Sequence, residues 1–315
     1  MSVMQTASPP GDVSVPSSPG DFYRALTSRN RGLLSIDDQQ LLRRAVFLVA
    51  GCGSIGGAVV EPLIRLGAER LLLAEPDSYE LHNLNRQHAR LCDLGRNKAL
   101  VLAEWAAQVN PHARVEVDTA GITAANAAGH VAAAALIFDA VDVTSAPALA
   151  CKYLLHQEAR LAGVPVICGY DIGGVQLIQV YDYVRPRTRV LGGRVTERDI
   201  ADPMRFLARV VPLRALPVEI FPELRRQRSG EAGFFPQLVY SALLFGALAP
   251  RLAVDLLAGR PVRHRIIVDA HQLPRTPGGR LRADWARAGA LARMAPAALA
   301  YRRAPAAHHT RLETS

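Results

Sequence analysis

Cysteine is scarce: there are four in 315 residues, at positions 52, 92, 151 and 168. None shows the paired spacing of a metal finger or a secreted scaffold. That excludes a disulfide framework and a structural zinc motif, and it points to a reducing cytoplasm. Aromatic residues make up only 6% of the chain, while half of it is hydrophobic. Such a balance suits an Ala-, Leu- and Val-rich doubly wound sheet. Residues 1–20 lack the basic and apolar regions of a signal peptide, and their Ser, Pro and Gly content reads as a disordered leader. The longest apolar stretch, residues 237–257, is interrupted by Pro250, Arg251 and Asp255. A membrane span needs about 20 predominantly apolar residues, so a buried helix of the fold or of a dimer interface is expected, with no membrane association. No internal repeat is present.

The most informative feature is Val46-Phe47-Leu48-Val49-Ala50 running directly into Gly51-Cys52-Gly53-Ser54-Ile55-Gly56. A buried strand, a G-x-G-x-x-G turn and a helix in that order form a nucleotide-binding motif. The glycines permit a tight turn and close approach of backbone to phosphate. The adjoining helix N-terminus offers free N–H groups to an anion. Glu75 closes a second apolar run, about where an acidic residue meets a ribose hydroxyl.

A dinucleotide fold has no need for the polar and cationic set beyond this second run. Glu75-Pro76-Asp77 leads into Asn83-Leu84-Asn85-Arg86-Gln87 and then Lys98. A triphosphate carries about four negative charges and requires Arg, Lys and a divalent cation. Arg86 suits a bidentate grip on phosphate and Lys98 a movable point charge. Asp142 comes after the third apolar run, 136–138, at the carboxyl end of a parallel strand, where ligands bind in open sheets. It is the expected Mg2+ ligand, with capping of the next helix as the alternative.

The order and spacing of these groups resemble the ThiF/MoeB/HesA adenylyltransferases, relatives of ubiquitin-activating enzymes. The matching positions are Gly51/Gly53/Gly56, Glu75/Asp77, the stretch His82 to Gln87, Lys98 and Asp139/Asp142. Arg29-Asn30-Arg31 looks like the family's N-terminal arm, and Asn110-Pro111 matches a family N-P pair. The resemblance covers roughly residues 22–270. It implies a doubly wound, mainly parallel α/β fold that binds ATP and Mg2+ and converts a carboxylate to an acyl-adenylate. The expected nucleotide-binding set is Gly51, Gly53, Ser54, Gly56, Glu75, Asp77, Asn83, Arg86, Gln87 and Lys98. The resemblance also implies a homodimer in which Arg29, with Arg31 as the alternative, reaches the partner's triphosphate. The implied substrate is a sulfur-carrier-like protein, a peptide or a small molecule. The chain departs from the family at Ser54, where glycine is usual, at Glu75, where Asp is common, and at Val143, where Asn often comes after the metal-binding Asp. The paired C-x-x-C motifs of many members are absent, so no zinc is expected.

Residues 21–44 read as an arm and helix, and 45–270 as the adenylation domain. Within it the strands expected are Val46–Ala50, Arg70–Ala74, Arg114–Asp118, 136–138, 165–168, Val175–Tyr181 and 266–269. Residues 184–233 have poor periodicity and read as a loop or lid. Residues 271–315 read as a flexible tail with one short helix, 283–294. The net charge of +9 is carried mainly by arginine. It reads as a solvated face or as attraction for an acidic partner; the arginines lack interleaved aromatics, which disfavours nucleic acid. No cysteine lies beyond Cys168, so the acyl group is expected to pass directly to an external or substrate-borne nucleophile. Cys92, near the phosphate residues, is the one exception considered. An NAD(P)-dependent oxidoreductase and a catalytically degenerate binding module are the rival readings.

Overall fold

Short, largely apolar runs build the sheet, and the burial of its central strands explains their composition. The computed structural model describes residues 15–228 and 235–303. Strands β1 (Val46–Ala50), β2 (Arg70–Ala74), β3 (Arg114–Asp118), β4 (Leu136–Asp139) and β5 (Val166–Ile172) are parallel, in the spatial order β3-β2-β1-β4-β5. β6 (Val175–Tyr181) joins β5 antiparallel, and β7 (Arg265–Asp269) joins β6 antiparallel. Strands covered on both faces read as continuous apolar runs rather than alternating ones. Within β1, Phe47 and Val49 face one side of the sheet, and Leu48 and Ala50 the other.

Helices cover both faces. The first face carries α2 (Ile36–Arg44), α3 (Ser54–Leu66), α4 (Lys98–Val109) and α10 (Val239–Leu257), packed on Phe47, Val49, Phe138 and Ile178. The second carries α5 (Ala127–Ala133) and α6 (Ala146–Ala162), packed on Leu48, Ile137 and Val166. This is the expected doubly wound α/β architecture. The apolar stretch at 237–257 is thus a helix of the fold: α10 buries Phe245, Ala249 and Ala253 in the core it shares with α3.

Several expected boundaries move. Helix α1 (Pro19–Leu26) begins inside the supposed leader, with Ser18 accepting from the Asp21 N–H as its cap and Pro19 at its first position; residues 1–14 lie outside the described residues. The expected strand at 165–168 extends to Ile172. It turns through Gly173 (φ +52°) and Gly174 (φ +99°) into β6, a two-residue hairpin that needs positive φ at both central residues.

The expected lid at 184–233 instead carries α7 (Glu197–Ile200), α8 (Pro203–Val210) and α9 (Phe221–Arg228); its residues 229–233 lie outside the described residues. A Thr196–Asp199 capping box starts α7, and Asp202 caps α8 ahead of Pro203. Phe206 and Val210 then anchor α8 in the second face's core. Helices of four to eight residues are too short to show a helical period, which is why the segment read as loop. The tail expectation also changes: α11 spans Pro277–Arg303, because Ala, Leu, Arg and Met are good helix formers. Residues 304–315 lie outside the described residues.

Candidate nucleotide-binding site

The chain leaves β1 and crosses to β2 on one side, while β4 lies on β1's other side. Strand order therefore reverses between β1 and β4, and the crevice at their carboxyl ends is where an open sheet binds ligands. A cavity of about 2180 Å3 lies there, larger than the roughly 300–1,000 Å3 of a typical small-molecule site.

The glycine loop forms its floor. Gly51 has φ +85°, and a Cβ there would lie 2.4 Å from the Ala140 carbonyl oxygen. A Cβ on Gly56 would lie 1.8 Å from the Gly51 oxygen. These two glycines are fixed by contact between backbones. Gly53 differs: a Cβ there would meet only the Gln87 side chain, at 3.7 Å. The space above Gly53 is open, and Ser54 Oγ beside it is buried with no partner.

Glu75 comes directly after β2 and braces this loop. One carboxylate oxygen accepts from the Cys52 N–H at 2.5 Å and the other from the Asp77 N–H at 2.9 Å. Burial raises its pKa, against the pull of those hydrogen bonds. Each oxygen keeps a second lone pair. Asn83 is likewise structural in its hydrogen bonds: Oδ1 accepts from the Glu80 N–H, and its carbonyl accepts from the Arg86 and Gln87 N–H groups. This turn aims Arg86 and Gln87 over the glycine loop. Arg86 Nη1 donates to the His82 carbonyl and to Asn85 Oδ1, while its Nε and Gln87 Oε1 are buried without partners.

Lys98 opens α4. Asn97 caps that helix by accepting from the Ala99 and Leu100 N–H groups, and it donates to the Glu75 and Asp77 carbonyls. The buried Lys98 ammonium is 3.3 Å from Asp77. Asp142 is exposed on the cavity wall and accepts from Thr144 Oγ1. Its carboxylate is a hard oxygen donor of the kind Mg2+ takes. The structure thus brings Gly51, Gly53, Ser54, Glu75, Asp77, Asn83, Arg86, Gln87, Lys98 and Asp142 onto one cavity wall. Gly56 shapes the loop from below. Arg29 is exposed in a short turn and does not line the cavity of its own chain.

Sequence reasoning missed two features. The first underlies the Asp139/Asp142 pair. Asp139 is fully buried; its Oδ2 accepts from Lys152 Nζ at 2.6 Å, His156 Nε2 at 2.9 Å and Cys168 Sγ at 3.0 Å. Burial alone would raise this carboxyl, but Lys152 and His156 outweigh it and hold it well below its ordinary range. Burial pushes the His156 imidazole down against the pull of Asp139. The neutral ring then donates from Nε2 to Asp139 and accepts at Nδ1 from the Tyr183 hydroxyl at 2.7 Å. Asp139, His156 and Cys168 converge as metal ligands would, but the Lys152 ammonium already supplies the cation. The available signal was Lys152 itself, since Lys98 and Lys152 are the only lysines in an arginine-rich chain.

The second is Asp171, near the end of β5 on the cavity wall. It accepts from Ser241 Oγ, while its Oδ2 is buried without a partner. Burial pushes its pKa up to about 6, against the hydrogen bond from Ser241 and the more distant Arg86 charge.

Of the cysteines, Cys92 and Cys151 differ from expectation. Cys52 and Cys168 are buried, and burial pushes both thiols well up. Cys92 is exposed and does not line the cavity, whereas Cys151 on α6 does. Cys151, not Cys92, is the thiol on the cavity lining, because α6 runs away from the Asp142 loop along the crevice.

A mainly parallel sheet with a glycine loop, cationic side chains and a crevice at its strand-order reversal defines an α/β protein of the nucleotide-binding class. Comparison with known proteins narrows the class. Residues 27–189 match the ThiF family, and the chain belongs to that family. It is 33% identical over 134 residues to the sulfur carrier protein adenylyltransferase of Thermus thermophilus, a match covering 42% of this chain and 48% of the relative. It is 30% identical over 164 residues to the tRNA threonylcarbamoyladenosine dehydratase of Escherichia coli, covering 50% and 59%. The chain therefore spans about half the length of these curated relatives. The crystal structure of that dehydratase with ATP shares the fold at TM-score 0.55 and 21% identity, covering 78% of this chain and 98% of the other. E. coli MccB, solved with ATP, does so at TM-score 0.55 and 16% identity, covering 74% and 63%.

Proposed function

We propose that this chain is an ATP-dependent adenylyltransferase that activates a carboxylate. One observation carries the reading. Three buried, unpartnered polar atoms, Ser54 Oγ, Arg86 Nε and Gln87 Oε1, belong to residues of one wall, around the open face of Gly53. Buried polar groups in native proteins are nearly always satisfied, and a nucleotide's phosphates and ribose would supply the missing partners. Lys98 adds a second cation beside the glycine loop.

In this reading a substrate carboxylate oxygen attacks the α-phosphorus, and the bond to pyrophosphate breaks. Arg86 and Lys98 stabilise charge on the phosphates, which is most of what phosphoryl chemistry asks of a protein. Asp142 would hold Mg2+, whose role is to neutralise phosphate charge. Glu75 holds the glycine loop and keeps lone pairs for the ribose. A nucleophile then displaces AMP without an enzyme thioester. The relatives named for sulfur carriers and tRNA, and the MccB complex with MccA, support a protein, peptide or small-molecule carboxylate. The reading includes a homodimer with shared ATP sites, for which Arg29 stands exposed, and work in the cytoplasm. The reading calls for no zinc and does not favour nucleic acid as partner. The relatives give no support to the oxidoreductase alternative.

Calorimetric titration tests this directly. Mg2+-dependent ATP binding is expected, with NAD much weaker, and Arg86→Ala and Lys98→Ala should each weaken ATP at least tenfold. Parent-like ATP affinity in both variants would sink the site assignment. A degenerate binding module would bind ATP yet release no pyrophosphate with any carboxylate.

A further inference from the structure

The nucleotide residues line only part of the cavity. Much of the remainder is walled by Leu207, Val211, Leu216, Ile220 and Phe235, from α8 and the segment leading into and beyond α9, with Arg194 and the Asp199-paired Arg209 also on the lining. The end of β5 adjoins these walls, since a Cβ on Gly173 would sit 3.6 Å from Ile220. Asp171 stands on that strand end. One of its oxygens accepts from Ser241; the other is buried and takes no hydrogen bond.

The other acids of the cavity are settled differently. Glu75 accepts from two backbone N–H groups, Asp77 pairs with Lys98, and Asp142 is exposed. Arg86 donates to a carbonyl and to Asn85, not to Asp171. Among the described residues lining this cavity, Asp171 is the buried acid with an open oxygen. Such an oxygen repels an anion and favours a ligand N–H, a cationic one above all. Apolar walls favour a ligand with a hydrocarbon body.

We propose that this chamber binds a primary amine carried on an apolar body, with Asp171 Oδ2 accepting from its nitrogen. The role assigned to that amine rests on the adenylation reading; the binding does not. The amine would be the nucleophile of the second step. It reacts as the neutral amine, having first released its extra proton to solvent if it arrived as an ammonium; its nitrogen attacks the acyl carbonyl carbon and forms the C–N bond. The bond between the acyl carbon and the phosphate oxygen breaks, AMP departs with that electron pair, and the nitrogen's proton passes to Asp171.

The test is calorimetric titration of the full chain, with and without ATP, using n-butylamine, n-hexylamine, n-hexanol and hexanoate. Hexylamine should bind at least tenfold tighter than hexanol, hexanoate weakest of all, and affinity should rise roughly fourfold per methylene from butylamine to hexylamine. In Asp171→Asn the advantage of hexylamine over hexanol should vanish. Equal binding of hexylamine and hexanol by the parent overturns the proposal whatever the variant does, as does hexanoate binding tightest. Loss of ATP binding with amine selectivity intact would instead refute the adenylation reading and leave the amine site standing.

Discussion

Asp171→Asn should make the protein more stable at neutral pH and no more stable near pH 4. Asp171 is 7% exposed, and its pKa moves from 3.8 to about 6, chiefly through burial. Between those two values the native state keeps a proton that the unfolded chain releases. Stability therefore falls as pH rises from about 4 to about 6 and stays at the lower level above it. A shift of about two units corresponds to about 3 kcal/mol of destabilisation at pH 7.5. Asparagine is nearly isosteric, and its side-chain oxygen still accepts from Ser241, so the variant removes the charge and little else. The assay is thermal unfolding of parent and variant at pH 4, 5, 6 and 7.5. The variant's midpoint should lie several degrees higher at pH 7.5, with the gap closing steadily below pH 6. Coincident melts at pH 7.5, or a gap of the same size at every pH, would refute the claim that Asp171 is a desolvated carboxylate. A stabilising substitution at a cavity residue is the pattern expected where a site keeps an unfavourable group for function.

Gly56→Ala should lose at least about 3 kcal/mol or fail to fold, since its Cβ would meet the Gly51 oxygen at 1.8 Å. Gly53→Ala should cost far less stability while weakening ATP, which denaturant melts and calorimetry would separate. Lys152→Met should cost about 3–5 kcal/mol by leaving Asp139 buried beside a neutral histidine. The double variant Asp139→Asn/Lys152→Met should recover much of that loss in urea titration; a loss as large as the single variant's would mean that the ion pair is not the cause. Under the dimer reading, mixing Arg29→Ala subunits with Asp142→Ala subunits should restore part of the pyrophosphate release through hybrid sites. A monomer in sedimentation would remove the basis for that complementation.

The strands were legible because burial on both faces leaves a continuous apolar word. Val46–Ala50, Arg70–Ala74 and Val175–Tyr181 match the expected strands residue for residue. Gly51 and Gly56 were legible because backbone contact admits no other residue there. The helices between 197 and 228 were not, because each is shorter than the window in which a 3.6-residue period emerges. Their caps were the readable signal: Asp202 before Pro203, and Thr196 three residues before Asp199. Helix α11 was underestimated because its alanine and arginine content carries helix propensity without an apolar stripe to mark a buried face.

The acids at the carboxyl ends of the parallel strands show where reading a sequence stops. Glu75, Asp139, Asp142 and Asp171 all end apolar runs or come just after them, and nothing local tells them apart. Their chemistry is set by partners. Glu75 meets the N–H of Cys52, Asp139 meets Lys152 one helix away, and Asp171 meets Ser241, 70 residues on. Asp142 meets solvent. Strand-end placement put Glu75, Asp142 and Asp171 on one crevice and Asp139 beneath it, and three are then accounted for: one braces the glycine loop, one is neutralised beneath it, one faces outward where a cation can reach it. The fourth is left buried with an open oxygen against an apolar wall. A fold gains nothing in stability from that arrangement, so the reactant that fills the chamber is where its explanation has to lie.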